Sequence, residues 1–304
     1  MTRTLAMTGA TGFVGGATLR QAVAAGWHVR ALTRRAQEER DGVTWVPGAL
    51  ANRESLADLV AGSDVAMHIA GVVNVPTRAD FEAGNAAATA NVVEAARAAD
   101  VRRFIHVSSL AAREPDLSNY GWSKAEAEKV VEGSGLDWTI VRPPAVFGPG
   151  DTEMLDLFRM AKRGIALVPP GRMSAIYVDD LARLLLAVAA DCEASLGAIY
   201  EPDDGTPTGW SYRSFARAIG RAVDRTHVSA IPIPPAVLKT AGQLDKLVRR
   251  GSAKLTPDRA RYIAHPDWVA STGACPPPEL WTPSLDTAEA LAATVRWYRS
   301  EGWL

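Results

Sequence analysis

Cysteine is nearly absent from this 304-residue chain: Cys192 and Cys275 are the whole supply. Two are too few for a disulfide framework, so stability must come from an ordinary apolar core. A surplus of either charge is missing too. Lys and Arg number 33 and Asp and Glu 34, a net charge of -1, so no global field draws nucleic acid or an anionic membrane. Long hydrophobic runs are lacking. The richest stretch, Leu181-Ala182-Arg183-Leu184-Leu185-Leu186-Ala187-Val188, is short and carries an arginine, which excludes a bilayer-spanning helix there. The chain enters its first apolar run at once, leaving no room for a secretion signal. These absences lead us to expect a cytoplasmic protein with no membrane and no nucleic-acid partner. Internal repeats and low-complexity tracts are missing as well.

What is present is a globular composition, 47% apolar, in a chain long enough for a main domain and a smaller lobe. Short β-rich runs alternate with alanine-rich helical segments through the first half. Strands are predicted at Leu5–Thr8, Trp27–Thr33, Val43–Val46, Val65–Ala70, Arg103–Ser108 and Trp138–Val141. Helices are predicted near Phe13–Ala25, Arg53–Ala61, Asp80–Ala99 and Asn119–Glu132. This alternation argues for an α/β fold with a parallel sheet covered on both faces. Right-handed crossovers then make it a doubly wound Rossmann sheet. After Arg142-Pro143-Pro144 the pattern changes. A helical stretch runs to about Lys162, Leu181–Ala190 reads as a helix, and Ala198–Tyr200 reads as a late strand. Proline clusters mark Pro232–Pro235 and Pro276–Pro278, and Leu291, Val295 and Tyr298 give the tail helical spacing. We therefore expect a dinucleotide-binding domain from 1–150 plus about 175–203. A smaller C-terminal substrate-binding lobe would take about 151–174 and 204–304.

Two features carry chemistry. Directly after Leu5-Ala6-Met7 comes Thr8-Gly9-Ala10-Thr11-Gly12-Phe13-Val14-Gly15, a glycine loop opening a helix. Backbone can approach a pyrophosphate only where side chains are missing, and a helix N-terminus offers free N–H groups. About a hundred residues later, an apolar strand ending in Ser108-Ser109 is followed by Tyr120 and Lys124. These two are four apart on a helix and so face the same way. A phenol with a reference pKa of about 10 is a poor acid or base near neutrality. An adjacent ammonium favours the phenolate and lowers that value, so the pair can exchange a proton with a substrate oxygen. Ser109 can donate a hydrogen bond to the same oxygen. The bland alternative is a chance Tyr-x-x-x-Lys on an ordinary helix.

Thr8–Gly15, Ser108-Ser109, Tyr120-Gly-Trp-Ser-Lys124, Arg142-Pro-Pro-Ala-Val-Phe-Gly-Pro-Gly150 and Tyr177-Val-Asp-Asp180 together resemble the extended short-chain dehydrogenase/reductases. That family includes NAD(P)-dependent epimerases and dehydratases, dihydroflavonol reductases and 3β-hydroxysteroid dehydrogenases. The resemblance covers about residues 1 to 203 and implies roles. Tyr120 would be the acid/base, Lys124 would hold the nicotinamide ribose, and Ser109 would orient the substrate oxygen. Gly9, Thr11, Gly12, Phe13, Val14 and Gly15 would take the pyrophosphate. Ala70 and Gly71, ending the fourth strand, would pass beside the cofactor, and backbone from Pro143 to Val146 would meet the carboxamide. Members that use NAD carry an acid at the end of the second strand. Here that strand ends Thr33-Arg34-Arg35, and a guanidinium grips a ribose phosphate that a carboxylate would repel. NADP is therefore the expected cofactor, with Arg34 the clamp and Arg35 the second choice. NAD, with a solvated basic turn balanced by Glu38 and Glu39, is the alternative.

Two departures from the family pattern stand out. Its adenine-side Asp-Leu is replaced by Gly48-Ala49-Leu50, leaving backbone at Leu50. The Leu110–Asn119 segment is as short as in compact, atypical members. Other candidates have ordinary readings. Asp179-Asp180 is read as a cap ahead of Leu181, and His68 and His106 as packing residues. Trp268, Trp281, Trp297 and Trp303 are read as packing for the small lobe rather than a substrate pocket, and Arg172 as a phosphate ligand or a solvated loop residue. The expected function is hydride transfer to or from a carbonyl or secondary alcohol of a small-molecule substrate. Two other readings stay open: a nucleotide-sugar epimerase or dehydratase that recycles bound cofactor, and a non-catalytic NADP(H)-binding structural or sensor protein. A homodimer is also open, because family members often pair through the helices flanking the site.

Overall fold

In the computed structural model, residues 2–190, 193–249 and 255–304 are described; Cys192 lies outside them. The first stretch alternates β1 (Thr4–Thr8), α1 (Phe13–Ala24), β2 (His28–Thr33), β3 (Val43–Pro47), α2 (Arg53–Val60) and β4 (Val65–His68). It continues through α3 (Arg78–Phe81), α4 (Ala88–Ala98), β5 (Arg103–Val107), α5 (Asn119–Glu132) and β6 (Asp137–Val141). Then come β7 (Ala145–Phe147), α6 (Leu155–Lys162), β8 (Ile165–Val168), β9 (Arg172–Met173), β10 (Ala175–Tyr177), α7 (Val178–Ala190) and β11 (Ala198–Tyr200). The remainder is β12 (Trp210–Ser211), α8 (Tyr212–Ala222), β13 (Ser229–Pro232), α9 (Pro235–Arg249), α10 (Pro257–Ile263), β14 (Asp267–Trp268) and α11 (Thr287–Ser300).

Two compact units share these elements. The first holds Met1–Pro143, Leu181–Glu201 and Pro276–Trp281, the second Pro144–Asp180, Pro202–Cys275 and Thr282–Leu304. The first unit is built on a seven-stranded sheet in the order β11-β6-β5-β4-β1-β2-β3, every pair parallel. Strand order reverses between β1 and β4, and ligands of open α/β sheets bind at such a switch point, beyond the carboxyl strand ends. β4 and β5 are buried along their whole length, His68, Arg103 and His106 included, as central strands covered on both faces are. Leu56, Leu59, Val92, Phe104, Val131 and Ile140 form one side of the core.

Arg103 is buried beside that core. Its guanidinium donates to the carbonyls of Val188 and Asp137 (2.6 and 2.7 Å) and to the hydroxyls of Thr139 and Ser195 (both 2.7 Å). Arg3 donates to the carbonyls of Ala189 and Ala190 at 3.1 Å. Both cations sit at the carboxyl end of α7, the negative end of its dipole.

Beyond one-residue shifts at other strand and helix ends, three differences from the sequence reading have a physical reason. β4 stops at His68 rather than Ala70, because the chain turns away and Ala70 N–H donates to the Thr8 hydroxyl at 3.3 Å. The helix expected over Asp80–Ala99 is broken by a π-turn at Glu82–Ala87. There the Asn85 amide accepts from Val72 N–H (2.8 Å) and donates to Val72 carbonyl (3.0 Å). Asp179 and Asp180 do not cap α7 from outside but lie in its first turn, where carboxylates suit the helix dipole. Asp180 accepts from the backbone and hydroxyl of Ser284 at 3.0 and 2.6 Å.

The second unit is made of short pieces: β10 on β7, β12 and β14 flanking β9, and β13 on β8. Arg172, on β9, donates to Thr208 hydroxyl at 2.6 Å and to Thr208 carbonyl. Trp268 is buried against Tyr262 (4.8 Å between rings), and Trp297 meets Trp303 edge-on at 4.9 Å. Trp281 belongs to the first unit, under the Arg183 guanidinium at 5.7 Å.

Candidate functional site

The glycine loop joins β1 to α1, and two of its glycines are there because nothing larger fits. Gly9 has φ +78°, and a Cβ there would fall 2.7 Å from Ala70 N. A Cβ at Gly15 would fall 1.9 Å from Gly9 carbonyl oxygen, so the helix start is pressed against the turn. Gly12 N–H donates to Gly9 carbonyl at 2.9 Å. α1 begins at Phe13 with no side chain capping it and no acid in its first turn. Its N-terminal N–H groups are thus available to an anion. Thr11 and Gly12 are exposed, Phe13 and Val14 half-buried. This cradle fits the pyrophosphate of a dinucleotide.

Beside it, the chain after β4 passes Ala70 and Gly71. A Cβ at Gly71 would lie 2.8 Å from Asn85 Oδ1 and 3.8 Å from Lys124 Nζ. Lys124 reaches this point from α5, buried, and donates to Val107 carbonyl at the end of β5 (2.8 Å). Burial lowers its pKa to about 8, opposed by the carboxylate of Glu128 one turn further on. Asn85 also donates to Ser123 hydroxyl at 2.8 Å. Tyr120, half-buried in the first turn of α5, packs near Phe81 with ring centroids 6.1 Å apart. A Cβ at the next residue, Gly121, would fall 2.6 Å from Ala111 carbonyl oxygen. That clearance lets the turn after Ser109 lie directly against the helix bearing Tyr120.

The two serines have separate jobs. Ser109 is buried and its Oγ accepts from Ala111 N–H at 3.2 Å, starting a short 3-10 turn. Ser108 instead donates to Glu128. Leu110 N–H donates to Pro143 carbonyl at 3.1 Å, so the ends of β5 and β6 are joined here. The loop glycines, Ala70, Gly71, Lys124, Ser109, Tyr120 and Pro143 therefore gather at the carboxyl ends of β1, β4, β5 and β6. Val146 lies on β7 of the second unit, opposite Ile176. Arg34 and Arg35 are exposed just past β2, where Thr33 hydroxyl donates to Arg35 carbonyl at 2.6 Å. Leu50 carbonyl accepts from Asn91 at 2.9 Å. Among the described residues no group of three or more His, Cys, Asp or Glu could hold a metal ion.

A family model described as NAD(P)H-binding matches residues 9–191. The chain belongs to the NAD(P)H-binding family. It is an NAD(P)-dependent oxidoreductase of the extended short-chain dehydrogenase/reductase type. It is 36% identical over 99% of its length to a protein named ceramide reductase from Caulobacter vibrioides, covering 96% of that protein. It is 32% identical over 99% of its length to sterol demethylase protein B from Methylococcus capsulatus, covering all of it (100%). A solved structure, MoeE5 in complex with UDP-glucose and NAD, superposes with a TM-score of 0.73 at 20% identity. That superposition covers 98% of this chain and 99% of the other, and it speaks to the fold alone.

The oxidoreductase also contains a buried charge network that motif reading missed. Arg142, at the end of β6, donates to Glu128 on α5 at 2.6 and 2.9 Å and to Glu201 at 3.4 Å. Arg113, four residues past Ser109, donates to Glu201 at 3.1 Å. Two cations and two carboxylates thus tie α5 to the ends of β5, β6 and β11. Glu128 was visible as Lys124 plus four; Glu201 had no signal in the sequence, because its partners are far away along the chain.

His68 and His106 face each other across β4 and β5, with stacked rings 5.5 Å apart. His68 Nδ1 bonds Thr8 hydroxyl at 2.7 Å. Burial, aided by Lys124, lowers His68 to about 3 and His106 well below the ordinary imidazole value. Both are neutral packing groups at physiological pH.

Proposed function

We propose that this enzyme uses NADPH to reduce a carbonyl on a long-chain lipid of the ceramide or sterol kind. The observation that carries the reading is the placement of Lys124 Nζ on Val107 carbonyl, one helical turn from Tyr120 and beside Gly71. It is joined by full-length similarity to proteins named for lipid chemistry. The nicotinamide, when bound, supplies the hydride that goes to the carbonyl carbon. Tyr120 Oη gives its proton to the carbonyl oxygen, so that a secondary alcohol leaves. Lys124 stabilises the phenolate left behind, because its ammonium is buried where Coulomb attraction is strong. Ser109 Oγ, which accepts from Ala111 N–H, donates its own hydrogen to the same oxygen. The Glu128–Arg142–Glu201 network holds α5 against the strand ends, keeping Tyr120 aligned.

NADP is the proposed cofactor. No acid directly ends β2, and the exposed Arg34, with Arg35 next to it, would take a ribose phosphate. The proposed cofactor contacts are Gly9, Thr11, Gly12, Phe13, Val14, Gly15, Leu50, Ala70, Gly71, Pro143 and Val146. A homodimer through α4 and α5 belongs to the same proposal. Its support is an open groove that Ala86, Ala90, Trp122 and Val130 line on those helices; light scattering on the purified protein tests it. The activity test is NADPH oxidation with a 3-oxo long-chain amide and a 3-oxosterol dispersed in detergent. Turnover with either, lost in Tyr120→Phe, is expected. Cofactor binding without oxidation by any ketone, unchanged by that substitution, overturns the reading in favour of a sensor.

A further inference from the structure

β8 and β13 form a parallel pair in the second unit. A half-buried strand ordinarily turns polar residues to water. β8 alternates as such a strand should, with Ala166 and Val168 buried, but its outward residues are Ile165, 46% exposed, and Leu167, 47% exposed. The register sets Ile231, 46% exposed, opposite Leu167 on the same face. The chain continues through exposed Pro232, Pro234, Pro235 and Ala236 into α9. There Val237 is 53% and Leu244 57% exposed; seven residues apart, they share one side of the helix. Single exposed apolar side chains are ordinary. Here five of the seven large apolar side chains most exposed among the described residues fall in one continuous segment and its paired strand. Such clustering marks an interaction surface.

The charges beside it indicate the partner. Ile165 follows Lys162 and Arg163, both exposed. Arg225, exposed ahead of β13, donates to Lys162 carbonyl at 2.7 Å. Exposed Arg221 ends α8. The neighbouring acids are engaged: Asp224 pairs with Arg299 at 2.7 Å and Asp156 with Arg159 at 3.4 Å. A protein of net charge -1 thus gathers cations at one end of its apolar face.

We infer that the β8–β13 face and the start of α9 dock on the surface of an anionic lipid bilayer. Apolar side chains enter the boundary of headgroup and acyl chain, and Lys162, Arg163, Arg221 and Arg225 meet the phosphates. No helix among the described residues is long and apolar enough to cross a membrane, so the contact is peripheral. The inference rests on the lipid-substrate reading for its choice of partner: an enzyme acting on a lipid meets it in a membrane.

The experiment is co-sedimentation of the full chain with phosphatidylcholine vesicles, with and without 30% phosphatidylglycerol (an assay condition of about that composition). Binding to the anionic vesicles, weakened by high salt, is expected. It should fall at least about fivefold in Leu167→Ser/Ile231→Ser and in Lys162→Glu/Arg163→Glu. Both variants should keep the wild-type melting temperature and turnover of a short water-soluble ketone. Absence of vesicle binding, or equal binding by the variants, overturns the inference. So does a dimer that Leu167→Ser/Ile231→Ser converts to monomer without change in vesicle binding, since the face would then be an interface between copies. Turnover of detergent-dispersed lipid without vesicle binding sinks the docking surface alone. Vesicle binding without lipid turnover supports the surface and sinks the substrate reading.

Discussion

Two regions handle polarity in opposite ways: the strand ends of the first unit and the β8–β13 face of the second. In the first, charged groups are taken out of water and matched: Arg103 bonds carbonyls and hydroxyls, Lys124 bonds Val107 carbonyl, and Glu128 and Glu201 meet Arg142 and Arg113. In the second, the β8–β13 face and α9 leave apolar groups in water. A buried, fully partnered polar group fixes geometry, because every alternative placement leaves a donor or acceptor unmet. An exposed apolar group fixes nothing inside its own unit and is available to something outside. The contrast separates strand ends fixed by buried, partnered polar groups from an apolar face left open to solvent.

The largest expected effect is at the proposed proton donor. Tyr120→Phe should cut kcat by roughly a thousandfold, within the range for general acid catalysis, with no change in melting temperature. The same site gives a pH signature. The Lys124 ammonium, lowered to about 8 by burial, is present below that pH and is lost as pH rises through it. In the reductive direction kcat/KM should therefore fall on the alkaline side near that value. Lys124→Arg, which stays charged, should move that limb upward; an unmoved limb would assign it elsewhere.

Next comes stability. Arg103→Met should destabilise the protein by roughly 3 kcal/mol, because several buried carbonyl and hydroxyl groups lose their donor; urea titration measures it. His68 and His106 add a pH term of definite sign. Their folded values lie far below the unfolded value near 6.5. The stability they contribute is complete above pH 6.5 and drains away as pH falls toward about 3 for His68. Calorimetry from pH 7 to 4 should show falling melting temperatures, with a shallower slope in His68→Asn/His106→Phe. A smaller effect is expected at the adenosine end. Arg34→Ala should raise KM for NADPH about tenfold, near 1.4 kcal/mol, and leave KM for NADH nearly unchanged. Equal loss for both cofactors would remove Arg34 as the phosphate clamp. The smallest belongs to the second unit: Leu167→Ser should change folding stability by no more than about 0.5 kcal/mol, as exposed positions do. A loss near that of Arg103→Met would erase the contrast between the units.

How far the sequence could be read follows the same division. The alternation from β1 to β6 was legible because short β-rich runs stand between alanine-rich helical segments. Only their ends were shifted, as at His68, beyond which Ala70 N–H donates to the Thr8 hydroxyl instead of a ladder carbonyl. The glycine loop and the Tyr120–Lys124 spacing were legible because both are local. In the second unit the sequence reading had no strand for β8, β9, β10, β12, β13 or β14. These pieces are two to four residues long, shorter than any periodicity can register, and they exist because of pairings far away in sequence.

The sequence by itself determined the order of strands and helices, the glycine turn that opens α1 and the placing of Tyr120 and Lys124 one turn apart on α5, because each depends on neighbours within a few residues. Only the tertiary structure decided that Glu201 joins Arg142 and Arg113, that Asn85 braces Val72 and Ser123, and that Leu167 and Ile231 share a face. Those meetings bring together residues 13 to 88 positions apart. At such separations only the packed chain, and no local preference, brings the partners within reach.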